Sequence, residues 1–102
     1  MIRLTSRAAE DIASLYAFIA FQADEQTASR VLERISETCE TVWRFPRIGV
    51  RRKDLEPRGN EIRSLTCWSF VIFYTLVDEE PVVVRVIHGS RDIKPGDLTD
   101  QL

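Results

Sequence analysis

Apolar residues recur at helical spacing along the first half of the chain and at strand spacing along the second. Ile2 to Leu4 predicts a short first strand, and Thr5 or Ser6 offers a side-chain oxygen to cap a helix beginning near Arg7. At about 100° per residue, Ala8, Ile12, Leu15, Tyr16, Ile19 and Ala23 share one face, the expected buried stripe. Phe18 and Phe21 fall on the other side with Glu10 and Ser14, where large apolar rings need a reason. Asp24 caps a second helix with a cleaner division. Ala28, Val31, Leu32, Ile35, Cys39, Val42 and Trp43 gather on one side, and Arg30, Glu33, Arg34, Glu37, Glu40, Thr41 and Arg44 occupy the other. Pro46 cannot continue the helical hydrogen bonding, and the short Ala23–Asp24 junction makes the pair an antiparallel hairpin.

Pro46, Gly49, Pro57 and Gly59 punctuate the connection from Pro46 to Asn60, which reads as a long loop of the kind that often carries function. Strand patterns follow. Glu61 to Leu65 is one strand, and Trp68 to Val77 (WSFVIFYTLV) is apolar on both alternating sets, as a central strand covered on two faces should be. Asp78-Glu79-Glu80 turns the chain, and Pro81 to Ile87 returns antiparallel. Gly89 and Ser90 break that strand, and 93–102 reads as a poorly structured tail. The order β-α-α-β-β-β predicts a single α+β domain over 1–102, a helical hairpin on one face of a small antiparallel sheet.

Composition narrows the function classes. Hydrophobic residues make up 44% and charged residues 29% of the 102, an ordinary globular balance. The net charge of -2 argues against a chain whose whole surface wraps nucleic acid. The basic residues are nevertheless concentrated: from Arg44 to Arg63 there are seven, against three acidic ones. The N-terminus turns polar at once, and no apolar run approaches the ~20 residues of a membrane span, so a soluble cytoplasmic domain is expected. Cys39 and Cys67 lack metal-ligand spacing and read as free thiols; Trp43, Trp68 and Cys39 are assigned to the core. Neither a metal nor a cofactor is expected.

A set of short motifs carries a resemblance over about Ile2 to Asp92. They are A-x-x-D-I (Ala8 to Ile12), F-P-x-x-G (Phe45 to Gly49), I-R (Ile62-Arg63), V-I-F-Y (Val71 to Tyr74) and R-V-I-H-G-S-R-D (Arg85 to Asp92). Together they resemble the ParE branch of the RelE/ParE toxin superfamily, often called plasmid stabilisation proteins. The resemblance implies the toxin of a bacterial type II toxin–antitoxin pair, neutralised by a ParD-like antitoxin with a ribbon-helix-helix part and a tail that wraps the toxin. It also implies that the chain poisons DNA gyrase by binding, without being a nuclease itself. RelE-type relatives cut messenger RNA on the ribosome instead.

Three surfaces follow as candidates. Arg51, Arg52, Lys53, Arg58, Arg63, Arg85 and Arg91 are the expected target-binding cations. Phe18 and Phe21 are the expected antitoxin contacts, since an apolar tail needs apolar rings to sit on. The enzymatic alternative is an mRNA interferase using Arg63, Arg85, His88 and Arg91, with His88 moving the proton and the arginines holding phosphate. The bland reading of Arg85 to Asp92 is the polar end of the last strand, fixed by ion pairs, with His88 satisfying a backbone carbonyl. A third possibility is a remnant that only binds its partner.

Overall fold

A computed structural model describes residues 1–56 and 59–99. Strand β1 (Arg3–Leu4) leads into helix α1 (Ser6–Gln22) and helix α2 (Glu25–Arg44). Then come β2 (Val50–Arg51), a 3-10 turn at Lys53–Leu55, β3 (Ile62–Cys67), β4 (Phe70–Val77), β5 (Glu80–His88) and a short α3 (Gly96–Thr99). Thr5 caps α1: its Oγ1 accepts the Ala8 N–H at 3.1 Å and donates to the Val84 carbonyl at 3.2 Å. Asp24 caps α2 by accepting the Thr27 N–H at 2.6 Å, which holds its carboxyl below the usual range. The helix ends one residue before Phe45-Pro46, as the proline requires.

The sheet order is β1-β5-β4-β3-β2. The strands from β5 to β2 are antiparallel, but β1 lies parallel to β5, with Arg3 beside Val82 and Leu4 beside Val83. The sheet is therefore mixed, which corrects the all-antiparallel expectation. After the helical hairpin the chain enters the sheet at the opposite edge as β2, running against β1, and three antiparallel reversals then bring β5 beside β1 in the parallel sense.

Two apolar layers sandwich the sheet. On one side Ala8, Val31, Ile35, Cys39 and Val42 from the helices meet Cys67, Ile72, Tyr74, Val83 and Val86. On the other side Phe73, Val84, Ile87 and Ile62 are covered by Leu55 from the 3-10 turn and Leu98 from α3. This second layer corrects two expectations. The Pro46–Asn60 connection contains a strand and a 3-10 turn, and the tail expected to be irregular from 93 carries Leu98 fully buried; residues 100–102 lie outside the described residues. Burying each leucine contributes roughly 1.5–3 kcal/mol, enough to seat both segments on the sheet.

The β3–β4 hairpin supplies a third correction. Trp68 does not begin the central strand and is not core: it is the first residue of the two-residue turn before Phe70, 57% exposed, with φ at 53°. Trp43 is half-buried and Cys39 buried.

Candidate functional site

Arg85 is the first candidate to place, and it does not face a partner. Its Nε donates to Asp11 Oδ2 at 2.7 Å and its Nη2 to Asp11 Oδ1 at 3.1 Å, while Nη1 reaches the Asp97 carbonyl at 3.3 Å. The Val86 N–H also donates to Asp11 Oδ2, at 3.0 Å. The side chains of Arg85 and Asp11 are only 4% and 11% exposed. A desolvated, bidentate pair with its remaining oxygens satisfied is a structural joint between α1, β5 and the C-terminal segment. Arg85 therefore leaves the set of target-binding cations.

Arg63 is committed elsewhere. It pairs with Glu61 at 2.5 Å and donates through Nη1 to the Gly49 and Arg47 carbonyls at 2.7 and 3.1 Å. Beside it the Tyr74 hydroxyl donates to the Pro46 carbonyl at 2.8 Å and accepts the Gly49 N–H at 2.9 Å; burial pushes its pKa up. A Cβ on Gly49 would lie 2.7 Å from that hydroxyl oxygen, so only glycine fits the approach. The motifs F-P-x-x-G, I-R and V-I-F-Y thus meet at one joint, as A-x-x-D-I and Arg85 meet at another. Arg63 stands opposite Tyr74 and His88 opposite Phe70. Four residues along β4 separate them by about 13 Å, so the proposed nuclease set does not converge.

What does converge is a cleft of about 250 Å³ whose lining includes Arg52, Asp54, His88, Arg91 and Asp92. It joins the basic loop to the end of the last strand. Arg52 grips Asp54 with two hydrogen bonds at 3.2 and 3.1 Å and lies 5.8 Å from the Phe73 ring centroid; the pairing holds the Asp54 carboxyl below its usual range. His88 Nδ1 accepts the Ser90 N–H at 3.1 Å and lies 2.7 Å from Ser90 Oγ. The expected backbone-carbonyl partner is replaced by Ser90. His88 also packs edge-on against Phe70. Arg91 is 3.9 Å from Asp97, whose carboxyl is held down chiefly by the Lys94 N–H. Two arginines against two aspartates leave the cleft close to neutral.

Around the cleft, Arg51 is clamped by both oxygens of Glu56 at 2.7 and 2.9 Å, and Lys53 is exposed without a carboxylate partner among the described residues. Arg58 lies outside the described residues. On the helical side Phe18 and Phe21 are 65% and 85% exposed, as large as any apolar exposure on α1. A groove of about 300 Å³ runs between β1 and α2, lined by Ile2, Leu4, Ile12, Leu32 and Ile35 among others. Cys39 is an inert thiol at neutral pH, since burial pushes it up to about 11. Among the described residues no cluster of His, Cys, Asp and Glu could hold a metal, and no helix is long and apolar enough to cross a membrane.

Sequence reasoning missed the carboxylates that occupy these arginines. Asp11 had a legible signal, an acidic residue at the edge of an apolar stripe. Asp54 and Glu56 had none beyond alternation with the cations.

The family model for the ParE toxin of the type II toxin–antitoxin system parDE matches residues 2–93. Among solved structures, one from the chromosomal ParDE toxin–antitoxin system of P. aeruginosa aligns with a TM-score of 0.69 at 23% identity, covering 86% of this chain and 96% of that one. At that identity the likeness speaks for the fold. Among curated proteins none matches at a significant level. The matched span takes in both joints, Asp11–Arg85 and Tyr74–Gly49, together with the strand-end cleft: the chain belongs to the ParE toxin family of type II toxin–antitoxin systems.

Proposed function

We propose that this ParE-family toxin acts in the cytoplasm by binding DNA gyrase rather than by cutting RNA, and that a ParD-like ribbon-helix-helix antitoxin neutralises it. The observation that carries binding over cleavage is the commitment of the arginines. Arg85 is buried on Asp11 and Arg63 is held by Glu61 and two carbonyls, so His88 has no convergent cations of that set except Arg91. The exposed cations Lys53 and Arg91 form the target face, with Arg52 and Arg51, paired to Asp54 and Glu56, at its flank. The antitoxin tail covers the helical hairpin at Phe18 and Phe21, two exposed rings of the kind that anchor helix or strand ligands.

The test uses purified toxin in two parallel reactions. One contains gyrase, ATP and supercoiled plasmid; the other contains ribosomes translating a defined message. Linear DNA held by gyrase, with the message intact, is the expected result. Cleaved message with untouched plasmid would overturn it in favour of an interferase, and silence in both would leave a partner-binding remnant.

A further inference from the structure

The β3–β4 hairpin holds its tryptophan in a conformation that suits it poorly. The turn has two residues, Trp68 and Ser69, and only the first has positive φ, the pattern that favours glycine at that position. A bulky side chain there is a genuine outlier, retained only where its surroundings or a function hold it. Its indole stands 57% exposed, with the Arg34 guanidinium 5.7 Å from the ring centroid. Arg34 itself is loosely paired, 3.6 Å from Glu37 with both side chains more than half exposed. The Gly89 N–H donates to the Ser69 carbonyl at 2.7 Å, which ties the tip to the strand-end cleft and its Arg91. An exposed ring, a guanidinium lying over it at cation–π distance and a second, weakly paired arginine around the corner supply the parts of a stacking platform: a π-face for a base and cations for the flanking phosphates.

We propose that Trp68, with Arg34 and Arg91, binds an unpaired nucleobase of single-stranded nucleic acid. The site goes beyond the gyrase reading and does not depend on it. Nothing in the stacking chemistry selects a sugar, so the strand can be the DNA of an opened duplex or an RNA.

Fluorescence anisotropy with labelled oligo-dT and oligo-U of equal length tests the site, and a duplex of the same length serves as comparison. Single strands should bind better than the duplex, with affinity falling as salt rises. Trp68→Gly should weaken binding roughly tenfold or more while melting no lower than the parent, because glycine accepts the turn without strain. Trp68→Phe should retain part of the affinity, which guards against a glycine variant that fails to fold. The two arms identify the strand: tighter binding of oligo-dT points to DNA, and tighter binding of oligo-U to RNA. Failure of the parent to bind either strand overturns the site, as does unchanged affinity in Trp68→Gly. Weakened gyrase poisoning by Trp68→Gly without strand binding also overturns it and makes Trp68 a protein contact. No gyrase is present in the binding assay, so a negative result there leaves the target reading standing.

Discussion

Arg85 in the last strand and Asp11 in the first helix are joined by two hydrogen bonds across 74 residues of sequence. Asp11 also takes the Val86 N–H, so one carboxylate fixes both the side chain and the backbone of β5. Removing Asp11 strands the Arg85 charge away from water, and removing Arg85 leaves Asp11 only the longer contact to Arg7, at 3.6 Å. Arg85→Ala should destabilise the protein by about 3 kcal/mol or more, a large share of the total of a small domain. Replacing both with apolar residues of similar size (Asp11→Leu with Arg85→Met) should recover part of the loss, since the Val86 N–H then lacks its Asp11 acceptor. Urea denaturation of the single and double variants reads this directly. A single variant as stable as the parent would show that the pair is dispensable.

Tyr74 and Gly49 form a second joint that can be tested by subtraction. Tyr74→Phe removes a hydroxyl that both donates to Pro46 and accepts from Gly49, leaving two backbone groups unpaired. A loss of about 1–3 kcal/mol is expected. Gly49→Ala should cost more, because its new methyl would meet the hydroxyl and ring of Tyr74 and the Ser64 carbonyl. The two changes should not add, since the clash of one is partly relieved by the other. Thermal melts of the full cycle supply the coupling energy, and strict additivity would contradict the geometry.

The clamp on the basic loop gives a pH dependence. Glu56 accepts two hydrogen bonds from Arg51 and one from the Ile62 N–H, and Arg51 is the larger cause of its lowered pKa. A carboxyl whose folded pKa lies below its unfolded value of about 4.3 stabilises the fold above that value. The contribution is lost as the pH falls through the folded pKa. Glu56→Gln should therefore lower the melting temperature at pH 7, and the gap to the parent should close on titration to below about pH 4. A gap that stays constant over that range would mean the clamp does not depend on charge.

Phe18→Ser and Phe21→Ser, singly and together, should leave helix content unchanged, since neither ring is buried. Antitoxin affinity should fall by roughly tenfold or more for the pair. Calorimetric titration with the cognate antitoxin reads the loss, and circular dichroism checks the fold. Unchanged affinity would move the antitoxin to another surface.

The helices were legible because a side chain's position on a helix is decided by local spacing, and Thr5, Asp24 and Pro46 carry their own start and stop chemistry. The central strand was legible because Phe70 to Val77 offers apolar residues on both faces. The parallel β1–β5 pair and the Leu98 contact were not, since they depend on where the chain returns, and no local pattern records that. Trp68 was misread for the opposite reason. Its strand-like sequence neighbours suggested burial, but a tight turn between Cys67 and Phe70 needs two residues, whatever their hydrophobicity. The motif arginines were legible as important and misplaced in role: in a strand, Arg63 and Arg85 look like free cations until their carboxylates are found.

Pairing the first strand with the last has a consequence for the timing of synthesis. Thr5 at the start of α1 bonds to Val83 and Val84, which emerge from the ribosome some 79 residues later. At about 5–20 residues per second, the helical hairpin exists for seconds before its sheet can close. Throughout that interval the part of the α2 stripe that packs on the sheet is bare, while β5, the end of the sheet and the strand-end cleft do not yet exist. A nascent or prematurely terminated copy thus exposes surface that a chaperone can bind, but lacks the finished face with which the toxin would meet its target.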